Sequence, residues 1–419
     1  MPRLSYASIV VLAFCWAATP VAAQSQTQTA ALPEGPGKAT VEAACTACHQ
    51  PNQILNSSGY TRAQWEELVA DMIDLSDSPD KEAVIAYLTQ HFPPNTRRTP
   101  KLVPGDAAIA FKEWKVPTLG QRSRDPEEAP DGAIWWVGQF GNLVGRIDPR
   151  SGEMREYPLP ANALPHSVNL DARGNVWYMG NGNGTIGKLD PKSGKITEYK
   201  MPDPAAKDPH TAVFDRDGIM WFTMQHSNML GRLDPATGDI KLAKMPVAKA
   251  RPYGIKLDSK GVPWVACNGG NCIARLDPAT MAIKTYPLPN EKTRVRRLDI
   301  AADDTIWYVN SSQGRLGRLD PKTGAVKEWD SPSGPKSHPY AIAVVDGIVW
   351  YNESGMRPDA LVRFDPKSER FQSWAIPSGN IHAGIVRHMR PTRDGNLLIH
   401  QSSTNRIILV TIRDRAASK

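Results

Sequence analysis

Six Asp-Pro pairs set the frame of this chain. They begin at Asp148, Asp190, Asp234, Asp277, Asp320 and Asp365, so consecutive pairs lie 42, 44, 43, 43 and 45 residues apart. Each follows a Gly-Arg-Leu-like triplet such as Gly231-Arg232-Leu233. A tryptophan keeps step at Trp135, Trp177, Trp221, Trp264, Trp307 and Trp350, and Leu398 holds that place in a seventh copy. A period in the low forties that carries several short β runs predicts a β-propeller, one four-stranded blade per repeat. Solenoids of similar period are helical, and these repeats are poor in helix formers. Pro (36) and Gly (32) are plentiful, as suits many short strands joined by tight turns. Seven blades are predicted over residues 107–412, with 413–419 a tail.

Ring closure is legible too. The outer strand of a blade ends in patterns such as Glu156-Tyr157-Pro158-Leu159-Pro160, and the same pattern stands ahead of the first blade as Glu113-Trp114-Lys115-Val116-Pro117. The last repeat has three strands and stops. The strand near Ala110–Pro117 is therefore expected beside Arg406–Ile412, which leaves no open edge.

The first hundred residues are unlike the rest. Arg3 precedes an apolar run and then Val21-Ala22-Ala23, a pattern that predicts a signal peptide over 1–23 and export to a bacterial periplasm. Residues 24–35 read as an unstructured lead, 36–92 as helical, and 93–106 as a Pro-rich linker. Within the helical part, Cys45-Thr46-Ala47-Cys48-His49 is the C-x-x-C-H signature of covalent haem attachment. Two thiols a helical turn apart form thioethers to one haem c, and His49 becomes an axial ligand. For the sixth position Met72, His91 and an open site all remain. This small all-α segment, with its C-x-x-C-H…Trp…Met…Tyr-Leu order, resembles class I cytochrome c domains. Thr61 reads as a helix cap, with Trp65, Leu68, Val69 and Met72 on one face.

Seven histidines fall within the repeats: His166, His210, His226, His338, His382, His388 and His400. All lie in or beside loops that enter an inner strand or leave a second strand, which share one end of a propeller's channel. That segregation places the candidate site at this end, with His166 and His210 as its foremost residues. Arg294, Arg296, Arg297, Arg251 and Arg387 belong to the same face by repeat arithmetic, beside Tyr253 and Tyr340, and would hold an anionic ligand. Cys267-Asn268-Gly269-Gly270-Asn271-Cys272 is tight-turn chemistry that brings two thiols within reach, an expected disulfide in an oxidising compartment.

The Pro-His/Tyr, Gly-x-x-Trp-Phe/Tyr, Gly-Arg-Leu-Asp-Pro and Glu-Tyr-x-Leu-Pro elements over about 107–412 resemble the virginiamycin B lyase (streptogramin lyase) family of seven-bladed propellers. The resemblance implies a histidine base and a magnesium ion, with an acid two residues before a blade-starting histidine and a glutamate three past a blade tryptophan. Asp208 meets the first requirement before His210. Met224 stands where Trp221 would have its glutamate, and the match is instead Glu353 after Trp350, whose blade offers His338 near its start.

The net charge of +7 comes with no basic helix or nucleic-acid module, so no nucleic-acid partner is expected. No mature segment is long and apolar enough to span a bilayer. Three functions fit these residues. One is an electron-transfer oxidoreductase, its propeller binding a small substrate or donor and its haem serving a periplasmic redox partner. The second is a metal-assisted lyase with an accessory cytochrome. The third is a non-enzymatic binding propeller with an electron-carrying head.

Overall fold

The computed structural model describes residues 31–46, 51–55, 57, 59–94, 98–380 and 385–413. Cys48, His49 and His382 lie outside them, as do the signal sequence and most of the tail.

Seven four-stranded antiparallel sheets form the blades. Their inner strands are β2 (Ser123–Glu128), β6 (Val168–Leu170), β10 (Pro209–Phe214), β14 (Pro252–Leu257), β18 (Val295–Ile300), β22 (Pro339–Val345) and β26 (Arg390–Pro391). In the seventh sheet β1 (Ile109–Lys115) pairs with β28 (Arg406–Ile412) in unbroken register from Ile109↔Ile412 to Lys115↔Arg406. The first and last strands thus close the ring, as the sequence predicts.

The repeat residues have distinct structural duties. Second strands such as Ile134–Gly138 and Met220–Met224 are buried throughout, because blades cover both their faces. The glycine of the Gly-Arg-Leu triplet faces an aromatic ring across the sheet, in the pairs Trp136↔Gly145, Tyr178↔Gly187, Phe222↔Gly231 and Tyr308↔Gly317. A Cβ on Gly231 would lie 2.0 Å from the Phe222 ring, so no side chain fits there. In three blades the tryptophan indole donates to a turn aspartate, Trp177 to Asp171 at 3.0 Å, Trp221 to Asp215 at 2.7 Å and Trp264 to Asp258 at 2.9 Å, which satisfies its N–H.

Among its described residues the head has four helices: α1 (Lys38–Cys45), α2 (Asn52–Leu55), α3 (Arg62–Met72) and α4 (Lys81–His91). Thr61 and Gln64 form a reciprocal capping box at the start of α3. Val41, Trp65, Leu68, Val84 and Tyr87 build a separate small core. Two expectations change here. Residues 31–35 are not a loose lead, since Leu32 is buried in that core and the Tyr87 hydroxyl donates to the Pro33 carbonyl. The segment after 97 is a strap rather than a free linker: Lys101, Val103 and Ala107 donate backbone N–H groups to Ser333, Ser373 and Gln372 of the sixth blade.

Candidate functional site

Each blade contributes one side chain to the mouth of the channel from the same repeat position. The position lies eleven residues before the blade tryptophan or its Leu398 counterpart, and ten before it in the sixth blade. It is occupied in turn by Arg124, His166, His210, Tyr253, Arg296, Tyr340 and Arg387. The inner strands begin here with a bulge, seen as a register shift between Pro209 and Ala212 and its counterparts in four other blades. A bulge at a barrel or blade rim re-aims side chains, here toward the axis.

These residues meet one another. Arg124 Nη2 donates to His166 Nε2 at 2.7 Å. The His166 and His210 rings lie with centroids 3.4 Å apart and planes tilted by 33°, and His210 lies 4.2 Å from Tyr253. The Tyr253 and Tyr340 hydroxyls share a short hydrogen bond across the axis. Arg296 sits over both tyrosine rings, at 5.8 Å and 4.9 Å, and Arg387 Nη1 donates to the Tyr340 hydroxyl at 3.4 Å. Four buried polar atoms of this ring, Arg124 Nε, His166 Nδ1, Arg296 Nε and Arg387 Nε, have no hydrogen-bond partner among protein groups. Buried donors left unpaired cost free energy, so acceptors from water or a ligand would be favoured here.

One step deeper, Asp125 closes the channel. It pairs with Arg297 at 3.4 Å and accepts from His388 Nδ1 at 3.2 Å. Burial would raise its carboxyl, but His388, Arg297 and Arg124 outweigh burial and hold it well below the usual range. His400 Nε2 accepts the backbone N–H groups of Arg387 and His388 at 3.1 and 3.2 Å, so its own proton sits on Nδ1, facing the Ser123 carbonyl.

The local field is strongly positive. Arg122, Arg124, Arg296, Arg297 and Arg387 surround the mouth against the carboxylate of Asp125, and buried Asp359 interacts with Arg387. Burial first, and then Arg124, press His166 and His210 well below the ordinary imidazole range, and both are neutral. His338 is lowered to about 4, by burial and then Arg296. Tyr340 moves the other way for a phenol: burial would raise it, but Arg296, Arg387, Arg124 and the Tyr253 hydrogen bond bring it down to about 7.

The sequence candidates divide accordingly. His166, His210, Tyr253, Arg296, Tyr340 and Arg387 come together in the ring, and Arg297 lies just beneath it. His338 stands beside Tyr340, centroids 6.1 Å apart, with Nδ1 on Ser354 Oγ. Arg251 and Arg294 are exposed on the rim. Asp208 is committed to the turn after the second strand, accepting from the N–H groups of His226 and Ser227. Glu353 accepts from Ser331 Oγ at 2.6 Å and the Ser333 N–H at 2.9 Å, with no contact to the ring. Arg124, Asp125 and His388 were not singled out as site residues by motif; the constant offset from the blade tryptophan would have found Arg124. Cys267 and Cys272 are two buried thiols in contact, sulfurs 2.8 Å apart, and are not bonded as a disulfide in this structure.

A hard divalent cation needs several converging oxygen ligands. Asp208 and Glu353 already accept from serine and backbone donors, Asp125 pairs with Arg297 and His388, and no group of three potential ligands converges among the described residues. The described residues do not fit a magnesium site.

The head docks on this same end of the channel. The Asp71 carbonyl accepts from Gly120 N–H at 3.1 Å and Asn405 Nδ2 at 2.8 Å, and its buried carboxylate pairs with Arg406 at 3.0 Å and with Lys115. Asn405 Oδ1 in turn accepts the Arg122 N–H at 3.1 Å, two residues before ring residue Arg124. Cys45 and Met72 both pack on the head's core. His91 lies at the other end of α1, against Gly35.

The described propeller is a closed seven-bladed ring with a cation-rich channel mouth. The family model for the virginiamycin B lyase family matches residues 106–276 and 243–417, and the chain belongs to that family. Solved structures show the same fold. A selenomethionine-substituted virginiamycin B lyase from Staphylococcus aureus is 23% identical with a TM-score of 0.66, over 73% of this chain and 100% of that one. A streptogramin B lyase is 24% identical at TM-score 0.66, over 73% of this chain and 98% of that one. A catalytically inactive His→Ala variant of the S. aureus enzyme, bound to quinupristin, is 23% identical at TM-score 0.65, over 73% and 100%. No curated protein matches the chain. The family match begins at residue 106, beyond the helical head. No described helix is long and apolar enough to cross a membrane.

Proposed function

We propose that the seven-residue ring binds a small organic anion and that the propeller acts on it as a lyase, breaking a bond by elimination. The observation that carries this reading is the set of buried, unpartnered nitrogens on Arg124, His166, Arg296 and Arg387, all at one repeat position. Guanidinium groups recognise carboxylates through paired, charge-assisted hydrogen bonds, and family membership supplies the reaction class. Because the acids do not converge, the reading assigns the stabilisation of developing negative charge to the arginines rather than to magnesium.

A second reading rests on the head. Cys45, Cys48, His49 and Met72 would hold a haem c, which supplies one-electron transfer when bound. Asp71, beside Met72, and Asn405 hold this head against the ring end. An oxidoreductase that takes electrons from a ring-bound donor and hands them to a periplasmic partner would use that arrangement.

Isothermal titration of the mature holoprotein with malonate tests the anion site. Replacing Arg387 by Gln should weaken binding by about 10- to 100-fold, and unchanged affinity sinks the reading. A substrate that turns over equally well in a haem-less Cys45→Ala, Cys48→Ala variant supports the lyase. A substrate whose addition reduces ferric haem, seen in the visible spectrum, supports the oxidoreductase.

A further inference from the structure

We infer that Tyr340 is the general base of the ring: its phenolate oxygen, held by Tyr253 and Arg387, takes a proton from the carbon next to a carboxylate that the ring arginines bind. This rests on the anion-site reading above and assigns that site its proton acceptor.

The geometry singles out this residue. The Tyr340 hydroxyl projects to the axis, where it meets the Tyr253 hydroxyl from two blades away. Arg387 Nη1 is 3.4 Å from the same oxygen, and Arg296 and Arg387 flank its ring at 4.9 and 5.7 Å. A carboxylate drawn to the unpaired Nε atoms of Arg296 and Arg387 would lie against the phenol oxygen. Among the described residues, the groups facing Tyr340 are Tyr253, His338, Arg122, Arg124, Arg296 and Arg387, and none is an anion.

The rival bases are the two ring histidines, and the same field decides against them. Cations beside an imidazole oppose the charge it gains with a proton, whereas cations beside a phenol favour the charge it gains by losing one. His166 has a further obstacle, because its Nε2 lone pair already accepts from Arg124. A base whose affinity for protons lies near the working pH is both available and strong enough to act, which agrees with Tyr340 brought down to about 7 while His166 and His210 fall well below their usual range.

In the elimination, the C–H bond breaks and its proton forms the O–H bond of Tyr340. The electron pair becomes the new C=C bond, and the bond to the leaving group on the next carbon breaks, that group departing with the pair. The negative charge passes from phenolate to leaving group, with the arginines close to it throughout. No oxidant or further reactant is needed.

Malonate serves as probe, since it carries both carboxylates and an acidic methylene. The full-length holoprotein should speed deuterium incorporation into malonate from heavy water, and Tyr340→Phe should lose about 100-fold of that rate while binding malonate within about threefold of wild type. A pH titration followed by phenolate absorbance, taken as a difference against Tyr340→Phe to cancel the haem, should reveal one tyrosine ionising near neutrality. Tyr253→Phe should move that ionisation upward. Equal exchange rates in wild type and Tyr340→Phe, or a near-neutral phenolate that survives in Tyr340→Phe, overturns the assignment. If wild type binds malonate but no tyrosine ionises near neutrality, the base is wrong and the anion site stands. If malonate does not bind, the anion site falls and the base with it.

Discussion

The two ends of the channel are made by the same seven strands, three residues apart, and their charges are handled in opposite ways. At the far end lie Glu127, Asn169, Val213, Lys256, Asp299, Ala343 and Arg390. Their charges are matched: Arg390 pairs with Glu127, and Lys256 with Asp299 at 3.2 Å. At the mouth, five arginines stand against Asp125, with Asp359 acting on Arg387, so positive charge predominates. Folding alone would favour the matched arrangement, since unpaired buried charge and unmade hydrogen bonds both cost stability. An imbalance confined to one end of a symmetric scaffold is what a site for an anion requires.

The largest effect should come from Asp125, which helps keep the mouth from being wholly cationic. Asp125→Asn leaves Arg297 and Arg124 without their shared counter-charge in a fully buried place. A loss of about 3–5 kcal/mol in unfolding free energy is expected, measured by urea denaturation, and a high anion concentration should recover part of it by mass action. A loss under 1 kcal/mol would mean that the plug is dispensable and that the contrast between the two ends has been overdrawn.

Acid should next distinguish the ends. His388 is lowered to about 4, chiefly by burial and then by Arg297, and His338 to about 4 likewise by burial and then Arg296. Both imidazoles are neutral when folded and ordinary when unfolded, near 6.5. The unfolded chain therefore binds more protons between these values, and stability is full above about pH 6.5 and falls as pH drops toward 4. Each contributes on the order of 2–3 kcal/mol over that window. His388→Asn, which can still donate to Asp125, should flatten the slope of stability against pH. A slope unchanged in that variant would place the acid sensitivity elsewhere.

Much of this was readable before any coordinates. The blade count, the closing strand and the face of the site followed from Asp-Pro spacing, the recurring tryptophans and the placement of histidines, because each blade must satisfy the same local constraints. Gly231 against Phe222 is one such constraint and Trp221 against Asp215 another. Six of the seven ring positions were visible, and Arg124 was not. His166 and Tyr253 stand after a proline and draw the eye, while Arg124 follows a serine in a stretch that reads as a charged loop, Arg122 to Glu128. What a motif cannot carry is direction. Asp208 has the spacing of a ligand and spends its oxygens on Ser227, and Glu353 has the right offset and turns to Ser331 and Ser333. Those choices depend on side-chain rotamers and on neighbouring turns. The haem motif is clear in sequence, and Cys48 and His49 fall outside the described residues, so there the sequence says more than the structure.

The smallest effect belongs to the far end, and it sharpens the comparison by being small. Lys256→Gln removes one partner of a pair whose lysine is 26% exposed and whose aspartate is 10% exposed. Solvent screens such a pair, and Asp299 keeps the Val344 N–H as a donor at 2.8 Å, so its carboxylate is not abandoned. A change of about 1 kcal/mol or less in unfolding free energy is expected, with malonate affinity within about twofold of wild type because no ring residue is touched. Parallel denaturation and calorimetric titration would check both. If this change at the far end weakened anion binding as much as Arg387→Gln does, binding would be reading the summed charge of the whole channel, and the mouth would lose its claim to be a distinct site.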